Sequence, residues 1–130
     1  MTQDTSDSLQ FLTFTVHGEE YGINIITVRE IKGWTETTRL PEAPPSIRGV
    51  INLRGAILPI CDLAMRFGLP ETRPGPRHAV IILTAGSRAM GVLVDAVTGI
   101  LDASHAALKP VPEAGHGCES PAFLSGLLAL

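Results

Sequence analysis

The stretch INLRGAILPICDL, residues 51–63, reads as two short strands folded back on each other about Arg54 and Gly55. The apolar β-formers on either side favour extended chain, and Gly55 adopts positive φ at little steric cost, so a tight turn fits. The cation at the bend is the odd feature, and a solvated turn residue is the commonest fate of an arginine there. Against that, guanidinium forks are favoured where a protein binds carboxylates or carbonyls in fixed geometry, and they are enriched in interfaces. The turn therefore reads as part of a surface that holds partners.

On the C-terminal side, CDLAMRFG (61–68) predicts a short helix with Asp62 as N-cap and Gly68 as its stop. LPETRPGPR (69–77) follows as a proline-rich connection. Upstream, TETTRLPEAPPS (35–46) is a loop, since Pro41, Pro44 and Pro45 exclude an interior strand. LQFLTFTV (9–16) alternates with period two, HGEEYG turns the chain, and Tyr21, Ile23 and Ile25 resume the alternation, which predicts a hairpin. VREIKG (28–33) fits either a continuation of that second strand or a helical turn ending at Gly33. HAVIILT (78–84) and AMGVLVDAV (89–97) are two more strand-like runs.

These last runs echo the first pair at a constant offset. Thr15 falls on Thr84, Gly22 on Gly91, Val28 on Val97 and Ile31 on Ile100, with Phe14 opposite Leu83 and Ile23 opposite Val92. Matching turns and alternation indicate two related β lobes, hence an all-β chain of small barrels or a sandwich. FLSGLLAL (123–130) resembles SIRGVINL (46–53), the segment that leads into the Arg54 hairpin. The second lobe is therefore expected to lack its final strand or strands, leaving an edge open to self-association.

Composition narrows the function. Apolar residues make up 45% of 130 and charged residues 18%, as in folded domains, while MTQDTSDS (1–8) reads as a polar tail. That tail has no basic or apolar portion of a secretory signal, and no run approaches the roughly 18 to 20 apolar residues of a membrane span. The net charge is −3 and the basic residues are scattered, which argues against nucleic acid as a partner. The two cysteines, Cys61 and Cys118, are too few for a disulfide framework or zinc site, and a reduced cytoplasmic protein is expected.

No catalytic constellation emerges. His17 and His78 flank strands beside turns, and the neighbouring His116, Cys118 and Glu119 lack a second ligand couple for a metal. Ser125 has no nucleophile motif around it, Glu19 and Glu20 lie in a hairpin loop, and Cys61 reads as a small core residue. Trp34 fits a core plug or a contact surface. No catalytic, cofactor or metal site is assigned.

The segments FLTFTVHGEEYGINIITVREI, PPSIRGVINLRGAILPICDL, AMGVLVDAVTGIL and FLSGLLAL together resemble the CheW-like family of bacterial chemotaxis adaptors over nearly everything from Leu9 onward. The resemblance implies two intertwined five-stranded SH3-like β-barrels with short helical turns, the first over about 9–70 and the second over about 76–130. It implies no catalysis and no cofactor. The implied partners are the regulatory domain of the histidine kinase CheA and the cytoplasmic tip of methyl-accepting chemoreceptors, met at the array beneath the inner membrane. Carried over by position, the partner-binding groove includes Val28, Glu30, Ile31, Arg54, Gly55, Gly91, Val92 and Val97, with Glu30 and Arg54 expected to pair. Family members continue past the FLSGLLAL stretch with a further apolar strand, so the second barrel reads as shortened. A CheW-like regulatory module of a larger chemotaxis protein is the alternative. A small β-barrel enzyme using His116 or Cys118 is the reading from another class.

Overall fold

The hairpin about Arg54 and Gly55 forms as its sequence predicts, with Leu53 opposite Ala56 across a two-residue turn. The structure is a computed structural model, and it describes residues 9–39, 41–42, 46–103, 109–110 and 127–129. The polar tail 1–8 and the His116, Cys118, Glu119 and Ser125 readings lie outside those residues.

Among the described residues, ten strands and one short helix follow in order: β1 (Leu9–Val16), β2 (Glu19–Asn24), β3 (Val28–Gly33), β4 (Ile47–Leu53), β5 (Ala56–Asp62), α1 (Leu63–Arg66), β6 (Ala79–Ala85), β7 (Arg88–Val94), β8 (Ala96–Ala103), β9 (Lys109–Pro110) and β10 (Leu127–Ala129). Asp62 caps α1 as expected, its side chain accepting from the Ala64 amide. VREIKG resolves as a separate strand. Between β2 and β3 the chain makes one 3-10 turn, Ile25–Thr27, started by Asn24, whose side-chain oxygen accepts from the Ile26 amide at 3.0 Å.

That turn moves the chain between sheets. The first sheet has the order β8-β1-β2-β10-β9 and the second β3-β6-β7-β5-β4. Each draws strands from both sides of the 69–77 connection, so neither is coextensive with residues 9–70 or 76–130. The all-β, interlaced architecture agrees with the expected SH3-like pair. The internal repeat is visible too: β1, β2 and β3 correspond to β6, β7 and β8, and burial alternates alike along the third members. Val28, Glu30 and Lys32 are half-buried as are Val97, Gly99 and Leu101, while Ile31 and Ile100 are both exposed.

The correspondence breaks at the last strands. β5 lies parallel to β7, whereas β10 runs antiparallel to β2. β2 is covered on that side by β10, which itself pairs with β9. β10 takes the place beside β2 that β5, not β4, takes beside β7.

β6 explains how the sheets pack. Its AVIIL run is buried on both faces, as a strand between two apolar layers must be. Ala79, Ile81 and Leu83 join Leu12, Phe14, Val16 and Ile23 of the first sheet in one shared core, while Val80 and Ile82 join Ile51, Leu58, Ile60 and Leu93 in a second. Each large side chain so buried contributes about 1.5–3 kcal/mol. Cys61 sits in the shared core, fully buried, as its neighbours suggested. Its sulfur is bonded in a disulfide, against the expectation of a reduced thiol; the other sulfur lies outside the described residues.

One glycine is required for the second sheet to curl. Thr38, beyond β3, exchanges two backbone hydrogen bonds of 2.9 Å with Val50 on the outer edge of β4. Gly49 beside it has φ +143°, and a Cβ there would collide with the Thr38 carbonyl. Only a residue without a side chain lets the two segments approach so closely.

Candidate functional site

Arg54 has φ +52° and Gly55 φ +88°, so both central residues of the turn occupy the left-handed region of a hairpin of I′ type. Asparagine or glycine is the usual occupant of the first position; an arginine there is strained and has to be justified by its side chain. Asn52 steadies the turn by accepting from the Gly55 amide at 2.9 Å. The guanidinium reaches across to β3 and grips Glu30 with both arms, Nη2 to Oε1 at 2.7 Å and Nη1 to Oε2 at 3.2 Å. The hydrogen bond from Arg54 holds the Glu30 carboxyl below the usual carboxylate range, against a smaller opposing push from desolvation. The same bond raises Arg54 further above its already basic value. The pair is a fork on a carboxylate, as expected from the positions carried over with the family resemblance.

A groove of about 380 Å³ runs beside it, lined by Arg29 of β3, Ile57, Leu58 and Pro59 of β5, and Arg88 and Met90 of β7. Ile57 is 60% exposed and Ile31, one residue past Glu30, 46%. Ile57, with Leu58 and Pro59 in the groove lining, gives an apolar surface that can seat the apolar stripe of an amphipathic partner.

The remaining predicted residues are placed differently. Val28 is half-buried on the Glu30 face of β3, and Val97 is its counterpart on β8, packed on the shared core. Gly91 and Val92 lie inside the second sheet, Val92 only 1% exposed. A Cβ on Gly91 would stand 2.6 Å from Ile60 Cδ1 and 2.7 Å from Val80 Cγ1. These two residues set the wall thickness behind the groove and do not line it.

A polar cluster that the sequence reading missed supports the hairpin from below. Asp62 is fully buried and accepts from Thr72 Oγ1 at 2.7 Å, the Thr72 amide at 2.8 Å, the Ala64 amide at 3.2 Å and Arg48 Nη1 at 3.3 Å. Arg48 also donates to the Thr72 carbonyl at 2.7 Å and lies 5.6 Å above the Trp34 ring, a cation–π contact. Trp34 is thereby half-buried, part core plug and part cover for a charge. A carboxylate inside the apolar run ILPICDLA was the available signal, because a buried charge demands partners.

Among the described residues, no group of three or more His, Cys, Asp or Glu is arranged to hold a metal ion, and no helix is long and apolar enough to cross a membrane.

Comparison with known proteins is consistent from sequence to structure. Residues 10–130 match the model of the CheW-like domain. The chain is 42% identical to "Chemotaxis protein CheW" of Rhizobium meliloti over 97% of its own length and 81% of that protein. It is 40% identical to "Chemotaxis protein CheW" of Klebsiella aerogenes over 93% of its length and 72% of that one. The crystal structure of the scaffolding protein TtCheW from Thermoanaerobacter tengcongensis superposes with a TM-score of 0.73 at 33% identity, covering 80% of this chain and 68% of that one.

Proposed function

The chain belongs to the CheW-like family, a chemotaxis scaffold by the company of its relatives, and from that premise we propose that it couples membrane chemoreceptors to the histidine kinase CheA. In this reading the groove beside Glu30 and Arg54 takes the helical tip of a receptor, and the barrels meet the regulatory domain of the kinase. The observation that carries it is the strained Arg54, held at positive φ and locked bidentately on Glu30 at the groove's rim. Such strain persists where the side chain is needed in one position, and the pair keeps the rim's charge and shape fixed before the partner arrives.

Val28, Ile31 and Gly55 are assigned to the same partner-binding surface, while Gly91 and Val92 lie behind the groove within the second sheet and Val97 packs on the shared core. The role is one of binding without turnover, exercised in the cytoplasm at the receptor array. The test is a pull-down of the full chain with a receptor tip fragment and, separately, with the CheA regulatory domain. Arg54→Ala is expected to lose the receptor fragment and keep the kinase domain. Retention of both at wild-type level would overturn the placement of the receptor in this groove.

A further inference from the structure

The connection between α1 and β6 carries Arg-Pro-Gly-Pro-Arg, residues 73–77, and His78 follows it directly. Pro74 and Pro76 have no backbone N–H, so Gly75 supplies the amide donor of this Pro-Gly-Pro tip. That amide donates to Nδ1 of His78 at 2.8 Å. In the return direction the His78 amide donates to the Gly75 carbonyl at 3.1 Å. One side chain thus closes the tip, and the closure depends on which ring nitrogen carries a proton.

A ring nitrogen that accepts a hydrogen bond has a free lone pair, so the imidazole here is neutral with its proton on Nε2. Nε2 faces Oδ1 of Asp95, at the junction of β7 with β8, across 3.8 Å. That is too long for a hydrogen bond. Asp95 is fixed by its own backbone, whose amide donates to the Thr15 carbonyl at 2.8 Å, and its Oδ2 accepts from the Gly18 amide at 3.4 Å. Both side chains are partly exposed, so protons reach them from solvent.

The proton count decides which partner the ring keeps. An imidazolium donates from both nitrogens and accepts at neither, so a second proton sets Nδ1–H against the Gly75 N–H. The Gly75 bond must then break, while the ring gains a full charge to set against the Asp95 carboxylate. The other titratable groups around it are His17 from the β1–β2 turn and Glu71, Arg73 and Arg77 from the connection, all lining one cleft of about 480 Å³. Two arginines and two carboxylates offset one another there, which leaves Asp95, the carboxylate that Nε2 faces, to direct a protonated ring.

We propose that His78 is a pH-operated latch on this connection: the neutral ring holds the Pro-Gly-Pro tip through Gly75, and protonation transfers the ring to Asp95 and frees the tip. Imidazole is the side chain whose charge ordinarily changes between about pH 5 and about pH 8. Thr72, tied by two hydrogen bonds to the buried Asp62, holds the upstream end of the connection, so the release is confined to residues 73–77. The cleft shares no lining residue with the groove beside Arg54, and the latch stands whether or not that groove takes a receptor.

The test is an NMR titration of the full chain from about pH 8 to about pH 5, following the His78 ring nitrogens and the Gly75 amide. At the upper end the ring is expected to carry its proton on Nε2 alone. As it takes up the second proton, the Gly75 amide should shift with the same midpoint and lose protection against exchange by about tenfold, the worth of one net hydrogen bond. His78→Asn puts an acceptor that does not titrate in the place of the ring, and its Gly75 amide should stay still. His17→Gln should titrate as wild type does. A proton on Nδ1 at the upper end would overturn the proposal. So would a Gly75 amide that stays still while His78 titrates, or one that still moves in His78→Asn. Loss of the transition in His17→Gln would overturn it in favour of His17. In Asp95→Asn the Gly75 bond should break at a lower pH than in wild type, and an unchanged midpoint would overturn the transfer to Asp95.

Discussion

Glu30 lies on β3 and Arg54 in the β4–β5 turn, 24 positions apart, and they meet through two parallel guanidinium–carboxylate bonds at the mouth of that turn. Arg54 is 64% exposed at its side chain and Glu30 23%, so water screens much of their attraction. The value of the contact is geometric: it fixes where a charge stands.

Removing the guanidinium should therefore separate binding from folding. Arg54→Ala is expected to weaken capture of a receptor tip fragment while leaving the thermal melt nearly unchanged. Arg54→Gly, which also relieves the positive φ, should melt no earlier than wild type and bind as poorly as the alanine variant. A large drop in melting temperature for both would make Arg54 a structural residue.

The pair also has a defined pH window. Arg54 depresses the Glu30 carboxyl in the folded state, so its stabilisation is complete above the ordinary carboxylate range and is lost as pH falls through the depressed value. It is thus fully present at neutral pH. A carbon-detected NMR titration should find Glu30 titrating below an ordinary glutamate, and Arg54→Ala should move it back up.

Asp62 should matter more to stability than any surface charge. Asp62→Ala strips partners from Arg48 and Thr72 inside the protein, and losing one side of a buried pair costs about 3–5 kcal/mol. A denaturant midpoint close to that of wild type would show that water replaces the carboxylate.

Two glycines should fail for different reasons. Gly91→Ala pushes a methyl group between Ile60 and Val80, an overpacking worth about 1–3 kcal/mol. Gly49→Ala meets backbone, the Thr38 carbonyl, so the bridge to Val50 should open. Amide exchange at Thr38 and Val50 is expected to accelerate in Gly49→Ala and to stay slow in Gly91→Ala.

Much of this was legible in the residues. Alternation around HGEEYG, NLRG and AGSR marked three hairpins, and Asp62 announced α1, because strand and cap signals are local. The Glu30–Arg54 contact was legible only through resemblance, since no spacing rule joins a strand to a turn 24 positions away. The repeat foretold matching lobes but not the passage of the chain from one sheet to the other at Asn24, nor the parallel pairing of β5 with β7. Both depend on how apolar faces share β6. Gly91 and Val92, expected in the groove, turned out to lie behind it, because a strand read from sequence does not say which sheet covers it. The Arg48–Asp62–Thr72 cluster escaped notice for the opposite reason: each member had a sufficient local explanation, as strand, cap or linker.

The exchange of strands across the 69–77 connection bears on how the molecule comes into being. While a ribosome has delivered only the residues before that connection, β3 has no β6 to lie against and β5 has no β7. Neither sheet can finish early, and the chain must wait for its later half before either becomes stable. A protease nick in that connection would for the same reason leave two fragments that remain clasped together.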